Sequence, residues 1–288
     1  KAIRRQRQMC IRDRSYIKHQ NRLKYWIITI HFGVYMSSKI RVPALERALR
    51  ILEVLQKNHR CTISEIISLT GLPRSSVYVL VDDMVKLRLL RQNSDKTVQL
   101  WMKLVALGNS ASDSLDLKEI ISPYLDKLIT SIDCLAVHFG IMDDDKAFYV
   151  LKKTSPKTGM RIMSREGAEI SLVHTALGKC LLAYQEATQR ENIIRSLDYT
   201  PATANSITTP EALRKELASI HLRGFSYDNG EGGLEIRCVA VPVFDQDSHL
   251  IGAISIVGTI NKFTTDKLSA IIEKAKKTAL QITSGLMM

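Results

Sequence analysis

The chain places a guanidinium, two hydroxyls and a phenol close together at Arg74, Ser75, Ser76 and Tyr78. Such groups donate hydrogen bonds to phosphate oxygens, and the hydroxyls and the phenol can also read the edges of bases. Apolar residues follow Val77 at positions i+3, i+4 and i+7, which is the spacing of one buried face on a helix. The polar groups are therefore predicted to lie on the exposed, leading surface of a short helix.

Neighbouring residues predict the elements that hold this helix. Thr62 and Glu65 have the spacing of a capping box, so a helix is expected to begin there, and Gly71 is expected to end it. Pro73 stands where the first turn of the next helix begins, where its missing N–H costs nothing. With the hairpin predicted over Leu89–Leu100, this is the pattern of a winged helix-turn-helix, whose second helix enters the major groove of DNA. A helical hairpin used only for packing is the alternative.

The predicted DNA contacts fall at the start of the second helix, near its end and in the wing. They are Arg74, Ser75, Ser76, Tyr78, Val79, Lys86, Arg91 and Lys96. The arginine and lysine side chains are expected to contact phosphates and to make the affinity sensitive to salt. For Lys86 and Arg91, a solvated charge without a DNA contact is the competing interpretation.

The charge distribution separates a basic N-terminal part from a nearly neutral remainder. The formal net charge is +12, of which residues 1–35 contribute +8, residues 36–102 contribute +5 and residues 103–288 contribute −1. This distribution favours nucleic-acid binding near the N-terminus and a different role for the rest. The chain has 288 residues, 45% of them hydrophobic, which is enough for two folded domains.

Residues 1–37 are predicted to be an extension that does not belong to the fold. They are basic and then apolar, without an amphipathic pattern, and the domain pattern begins after Met36. A basic arm that touches DNA and a secretory signal are the alternatives. The secretory signal is rejected because nothing downstream looks extracellular.

Several common kinds of site are excluded by spacing. The five cysteines form no CxxC pair, which disfavours a zinc site and is typical of a protein in a reducing cytoplasm. Asp143–Asp145 lacks the EF-hand pattern, and Gly178 and Lys179 lack the glycine spacing of a phosphate-binding loop. No apolar stretch approaches the about 20 residues of a membrane helix. The sequence therefore predicts no metal, no cofactor, no membrane contact and a cytoplasmic location.

The predicted domains are a winged helix-turn-helix over residues 38–101, a linker helix over residues 102–116 and an effector-binding domain over residues 117–288. In the last domain strands come first, then helices, then strands, and a long helix closes the chain. That order is typical of an α+β fold around a mostly antiparallel sheet. Its predicted strands are residues 134–141, 147–152, 160–164, 225–228, 236–244 and 250–257.

Three motifs, Thr70–Val77, Val173–Ala183 and Asp228–Asp245, resemble those of the IclR-type bacterial transcriptional regulators. The resemblance covers about residues 40–287. It implies a GAF-like α/β sensor domain that binds a small metabolite, often an organic or aromatic acid. It also implies homodimers or tetramers that bind operator DNA.

The resemblance also implies an effector pocket. Its residues would be Ile162, Ile170, Ala176, Leu177, Asp228, Cys238 and Ser255. Backbone N–H groups at the start of the helix near Thr175 could hold a carboxylate, because a helix N-terminus attracts anions. Two departures affect the expected contacts. Val79 stands where the family usually has arginine in the DNA-binding helix, and Val257 stands where its pocket often has a second serine.

The sequence thus favours a ligand-responsive regulator that is not an enzyme, binds a palindromic operator and senses a small organic or sugar acid. One alternative is an enzyme on a GAF-like scaffold with Cys238 as its nucleophile and His174 as a conceivable base. Another is a DNA-binding protein whose C-terminal domain only oligomerises. Lone histidines, including His138 and His174, are interpreted as structural.

Overall fold

The computed structural model describes residues 40–113, 116–156 and 162–286. The predicted N-terminal extension therefore lies outside the described residues. Contacts between Cα atoms divide the chain into two compact units, and the division between them falls between residues 115 and 116. We call them the N-terminal unit and the C-terminal unit.

The described part of the N-terminal unit contains helices and one hairpin, numbered here in chain order. They are α1 (Pro43–Asn58), α2 (Ile63–Thr70), α3 (Arg74–Lys86), β1 (Leu90–Gln92), β2 (Val98–Leu100) and α4 (Met102–Asp113). The two strands pair antiparallel, with Leu90 opposite Leu100. The predicted pair of short helices followed by a wing is therefore confirmed.

Local chemistry explains where α2 and α3 begin and end. The Thr62 hydroxyl accepts a hydrogen bond from the Glu65 backbone N–H, and the Glu65 carboxylate accepts one from the Thr62 backbone N–H, so the predicted capping box is confirmed. Gly71 follows α2 with a φ of 66°, the left-handed conformation that favours glycine. Pro73 lies one position earlier than expected: it caps α3, and the helix proper begins at Arg74.

One apolar core holds the N-terminal unit together. Its buried members come from all three helices, both strands and the segments that join them, and they are Ile51, Leu55, Cys61, Ile66, Leu72, Val77, Val81, Met84, Leu90 and Val98. Val77, Val81 and Met84 belong to α3, so one stripe of that helix is sealed and the opposite stripe is left outside.

The C-terminal unit is an α+β layer structure. Its elements are α5 (Asp116–Ser131), β3 (Ala136–Asp143), β4 (Lys146–Thr154), β5 (Glu169–Ile170), α6 (Ala176–Ala183), α7 (Ala187–Ser196), α8 (Pro210–Arg223), β6 (Ser226–Asn229), β7 (Ile236–Phe244), β8 (Leu250–Thr259) and α9 (Thr265–Gly285). The sheet has the order β5-β4-β3-β8-β7-β6, and every neighbouring pair is antiparallel.

The two faces of this sheet carry different side chains. Helix α6 packs on the face formed by small or polar residues, which we call the inner face, and α8 packs against α6. The inner-face residues used below are Ala136, His138, Gly140, Asp228, Cys238, Ala240, Ala253 and Ser255. Helices α5 and α9 pack against each other and against the strands. The alternating residues of the strands, such as Val239 and Ile256, are large and apolar.

One expectation about this unit was wrong. The predicted strand at residues 160–164 begins outside the described residues, and residues 162–165 form no strand. Instead the short edge strand β5 comes later, at Glu169–Ile170, where Ile170 pairs with Ala147. Pro123 lies inside α5, which runs without interruption from Asp116 to Ser131. In the part of the chain that the structure describes, none of the helices has the length and apolar character to cross a bilayer.

Candidate DNA-binding surface and effector site

The leading surface of α3 carries the predicted DNA-contacting side chains. Arg74, Ser75, Tyr78 and Val79 are exposed, and Ser76 is half-buried. Val79 exposes 61% of its surface although it is apolar, so it offers a methyl-bearing side chain where a partner could cover it. The helix therefore presents a cation, hydroxyls, a phenol and an apolar side chain on one face.

Arg74 and Tyr78 lie one helical turn apart and contact each other. An Arg74 guanidinium nitrogen is 3.5 Å from the Tyr78 hydroxyl oxygen, and the guanidinium carbon is 5.6 Å from the centre of the ring. This spacing places the two side chains side by side on the surface of α3. A phosphate or base approaching one of them meets the other.

Sequence reasoning missed Arg47 of α1, which lies beside the same surface. Its guanidinium donates a hydrogen bond to the Ser76 hydroxyl over 3.3 Å. Nothing in the spacing of α1 indicated this contact, because it joins residues 29 positions apart in different helices. The contact adds a positive charge next to the start of α3.

The remaining basic residues differ in whether they already form ion pairs with carboxylates. Lys86, at the far end of α3, forms ion pairs with Asp82 at 2.6 Å and Asp83 at 3.7 Å. The adjoining carboxylate of Asp82 raises the pKa of the Lys86 ammonium. These neighbours already neutralise Lys86, which weakens it as a phosphate contact.

The wing carries the last two predicted residues. The Arg91 guanidinium lies 4.5 Å from the centre of the Trp101 ring, a distance at which cation and ring attract each other. Lys96 lies at the tip of the hairpin and has a φ of 64°. Both side chains are exposed and, in contrast to the carboxylate-paired Lys86, no ion pair joins either of them to an acidic side chain of the described residues. They are the stronger candidates for contacts to phosphate.

The candidate effector residues of the strands share the inner face. Asp228 of β6 pairs with Cys238 of β7, and Ser255 of β8 pairs with Ala240, two positions further along β7. Residues i and i+2 of a strand point to the same side. Asp228, Cys238 and Ser255 are each at least nine-tenths buried. The fold therefore brings a carboxylate, a thiol and a hydroxyl onto one covered surface.

Helix α6 begins above this surface. The Thr175 hydroxyl caps it by accepting the Gly178 backbone N–H over 2.9 Å, and Ala176 and Leu177 are buried in its first turn. A Cβ at Gly178 would lie 2.1 Å from the Ser171 carbonyl oxygen, so glycine permits the close approach of the helix to residue 171. The positive end of the helix dipole lies at this first turn.

The apolar candidates meet around Gly140 of β3. A Cβ at Gly140 would lie 2.8 Å from the Ile170 side chain and 3.0 Å from that of Leu177. Ile162 is half-buried and packs against the same core. The seven residues implied by the resemblance therefore belong to one side of the C-terminal unit.

Burial changes the acidity of the polar groups on this face. The Asp228 carboxylate accepts the Glu231 backbone N–H over 2.7 Å, yet burial raises the pKa of Asp228 above its ordinary value. Burial and the adjacent Asp228 charge raise the pKa of the Cys238 thiol well above its ordinary value. A nucleophilic cysteine needs a lowered pKa, so this environment works against the alternative of Cys238 catalysis.

Lys179 was missed as part of this site. Its side chain is only 1% exposed, and its ammonium donates hydrogen bonds to Glu231 at 2.5 Å and to the Tyr227 carbonyl at 2.9 Å. A second carboxylate, Glu216 of α8, lies 3.6 Å away. Lysine in an otherwise apolar helix was the available signal, because a buried ammonium requires partners.

One group of side chains in the described ranges has the geometry to hold a metal ion, namely Asp245, Asp247 and His249 at the β7–β8 turn. The Asp245 carboxylate accepts the backbone N–H groups of both Asp247 and His249, and it contacts the His249 ring at 3.2 Å. These contacts stabilise a tight hairpin turn. The group lies outside the inner face.

Comparisons with known proteins agree with both units. Residues 109–284 match the family "bacterial transcriptional regulator IclR C-terminal", and residues 44–94 match the IclR helix-turn-helix domain. The chain is 40% identical over 224 residues to the transcriptional regulator RhmR of Escherichia coli K12, covering 78% of this chain and 85% of that protein. It is 28% identical to KdgR of the same organism over 246 residues, covering 85% and 93%.

Solved structures give the same fold. The IclR protein of Thermotoga maritima is 27% identical, with a TM-score of 0.66 over 85% of this chain and 98% of that one. An IclR homologue of Microbacterium hydrocarbonoxydans, solved in complex with 4-hydroxybenzoate, has a TM-score of 0.71 at 22% identity, over 85% and 99%. The exposed α3, the inner face beneath α6 and these matches lead to one conclusion: the chain belongs to the IclR family of ligand-responsive, DNA-binding transcriptional regulators.

Proposed function

We propose that this regulator binds a palindromic operator as a homodimer or tetramer and that a small organic or sugar acid on the inner face controls the binding. The observation that carries the proposal is the meeting of Asp228, Cys238 and Ser255 on one covered surface beneath the start of α6. The proposal also assigns DNA binding to residues 38–101, the linker to residues 102–116 and effector binding to residues 117–288. Operator binding would place the protein in the cytoplasm.

The DNA contacts are proposed for the leading turns of α3 and for the wing. Arg74, Arg91 and Lys96 contact phosphates, while Ser75 and Tyr78 approach base edges. Val79 provides an apolar contact, such as one to a thymine methyl group. The support is the exposure of all six side chains, together with the sealed opposite stripe of α3.

The effector contacts follow from the chemistry of the inner face. The carboxylate of the effector is attracted to the first turn of α6, because the partial positive charge of a helix lies at its N-terminus. Asp228 accepts hydroxyl donors, and Ser255 can donate or accept. Ile162, Ile170 and Leu177 form the apolar side. The 4-hydroxybenzoate complex of the Microbacterium homologue supports an acid as the class of effector.

Control of DNA binding requires that the effector favour one arrangement of the DNA-binding units over another. A ligand shifts an equilibrium only by the difference between its affinities for the two states. Helix α4 ends at Asp113 and α5 begins at Asp116, so the connection between the two units is the natural place for that bias to pass.

Two measurements test the proposal. Selection of bound genomic fragments by the purified protein should recover palindromic sites. Addition of the effector should then change the affinity of the protein for the recovered DNA. Thermal shifts against sugar acids and aromatic acids should show stabilisation of about 2.7 kcal/mol at one hundred times the dissociation constant. Indifference to all duplex fragments would contradict the DNA role, and the absence of any shift would favour a C-terminal unit that only oligomerises.

A further inference from the structure

His138 occupies the centre of the inner face, although the sequence indicated only a structural histidine. It lies in β3, directly opposite Ser255 of β8 and Lys152 of β4, and it is 2% exposed. Its neighbour Ser255 is one of the proposed effector contacts. The inference below therefore rests on the proposed function and adds a residue to it.

The imidazole ring of His138 lies between two hydroxyls. Its Nε2 is 2.8 Å from the Ser164 hydroxyl oxygen, and its Nδ1 is 3.4 Å from that of Ser255. Burial, together with the nearby Lys152 charge, lowers the pKa of His138 to about 3. The ring is therefore neutral at physiological pH, with one N–H donor and one acceptor nitrogen.

A neutral ring between two hydroxyls orients them in opposite senses. The serine that accepts the ring N–H keeps its own O–H for another acceptor, and the serine that donates to the ring keeps its lone pairs for another donor. One side of the effector site therefore offers a donor and the other offers an acceptor. A molecule with several hydroxyl groups can satisfy both.

Further polar groups adjoin this arrangement. The Tyr149 ring lies 5.0 Å from the His138 ring, measured between centres. Burial, together with the nearby Asp228 charge, raises the pKa of Tyr149 to about 12, so its phenol stays protonated. Lys152 donates hydrogen bonds to the Ile162 and Ser164 carbonyls at 2.8 and 2.6 Å, which holds Ser164 against the ring.

We propose that His138 is a specificity-determining residue of the effector site, which selects a polyhydroxylated carboxylic acid by orienting Ser255 and Ser164. A site built to hydrogen-bond hydroxyl groups rejects analogues that lack them, because its buried polar groups are then left without partners. The six-carbon acids D-gluconate and hexanoate isolate this property, since they share a chain length and a carboxylate.

The experiment measures dissociation constants by calorimetry for the full chain. The ligands are D-gluconate, D-galactonate and D-xylonate, with hexanoate and benzoate as acids without hydroxyl substituents. His138→Phe removes both ring hydrogen bonds and keeps a planar ring, while His138→Gln restores a donor and an acceptor. His221→Phe is the matched control, because His221 is an exposed histidine of α8 in the same unit.

The expected result is that the unmodified chain prefers an aldonate to hexanoate and that His138→Phe weakens aldonate binding about tenfold, the effect of one hydrogen bond. Hexanoate binding should not change, His138→Gln should recover part of the loss, and His221→Phe should match the unmodified chain. If His138→Phe does not fold, Ser164→Ala carries the test, because it removes the partner of Nε2 alone and should weaken aldonate binding in the same direction.

Three results would overturn the inference, and they differ in what else they affect. If the His138 and Ser164 variants bind aldonates as tightly as the unmodified chain does, His138 has no role in selectivity, although the protein could still sense acids. Preference of the unmodified chain for hexanoate or benzoate would remove hydroxyl selection, again leaving an acid sensor. Binding of none of these acids would overturn the acid-sensing part of the proposed function, and the inference with it.

Discussion

The two units place their functional groups in opposite environments. On α3 the groups proposed to meet DNA are exposed, and the neighbouring Lys86 is paired with carboxylates that are themselves exposed. In the C-terminal unit, His138 and Asp228 of the inner face and Lys179 of α6 are almost completely buried. Exposed charges are screened by water and ions, so losing a partner costs little free energy. A buried charge that loses its partner is left without compensation, which is strongly destabilising. Similar residue types should therefore respond very differently to mutation in the two units.

The largest expected difference is between two lysines. Lys179→Met should destabilise the protein by about 3–5 kcal/mol, because it leaves the buried Glu231 carboxylate without its 2.5 Å partner. Lys86→Met should leave the free energy of unfolding nearly unchanged, since its partners are exposed. Urea unfolding followed by circular dichroism measures both. Equal losses of stability in the two variants would mean that burial does not make the C-terminal unit more sensitive to the loss of an ion pair.

Two glycines, one in each unit, test whether the backbone differs between the units in the same way. Gly178→Ala should cost about 1–3 kcal/mol or more, because the new Cβ would lie 2.1 Å from the Ser171 carbonyl oxygen and must push α6 away. Gly71→Ala meets no atom within 4 Å, and its expected cost is about 1 kcal/mol from the left-handed φ of 66°.

Thermal unfolding measures the stability of both glycine variants, and effector titration measures the second consequence of Gly178→Ala. Displacement of the first turn of α6 should also weaken acid binding, which Gly71→Ala should leave unchanged. A Gly178→Ala protein that is as stable as Gly71→Ala would show that α6 can shift without cost.

A smaller effect is expected on the DNA side. Arg74→Ala should weaken binding to all duplex sequences and reduce the slope of log affinity against log salt by about 1, the effect of one lost phosphate contact. Lys86→Ala is the matched control within α3, because its ion pairs with Asp82 and Asp83 already engage it. Fluorescence anisotropy at four salt concentrations measures both slopes. An unchanged slope for Arg74→Ala would rule out the phosphate contact.

The smallest effect concerns pH, and its sign differs between the units. The raised pKa of Asp228 means that ionisation costs more in the folded state, so its contribution to stability declines as pH rises from the ordinary value through the raised one. The pKa of Glu65 is lowered by the Thr62 backbone N–H and hydroxyl, so its contribution is present above the ordinary value and is lost as pH falls through the lowered one.

Melting temperatures of Asp228→Asn and Glu65→Gln between about pH 3 and pH 7 test these signs, since ordinary carboxyl pKa values lie near 4. Relative to the unmodified chain, Asp228→Asn should gain stability as pH rises. Glu65→Gln should have its full deficit at neutral pH and lose that deficit in acid. Parallel pH profiles for the two variants would contradict the assignment of opposite shifts.

The sequence predicted those parts of the fold that depend on neighbouring residues. The capping box of Thr62 and Glu65 spans three positions, and the predicted strand Ile236–Phe244 has the bounds that the structure shows. Such features depend on a local hydrogen bond or on alternation along one strand. The strand predicted at residues 160–164 was wrong because a short apolar run does not specify whether a partner strand lies beside it.

The candidate effector site was predicted unevenly for the same reason. Asp228, Cys238 and Ser255 came from a family resemblance, and no local rule led to them. His138 and Ser255 are 117 residues apart in the chain, and Lys179 and Glu231 are 52 apart. Contacts at such separations depend on the register of paired strands and on where a helix packs. A motif of neighbouring residues cannot predict such contacts.

Residue order alone was enough to predict the helices and most strands, the buried and exposed sides of α3, and the basic character of the N-terminal part. These follow from periodicity, capping and charge, which act over a few residues. The identity of the polar side chains that become buried together emerged only from the folded chain, and with it the hydroxyls that His138 contacts and the carboxylate that Lys179 neutralises. The physical reason is that the cost of removing a polar group from water, and the partner that offsets it, are both set by the surroundings in three dimensions.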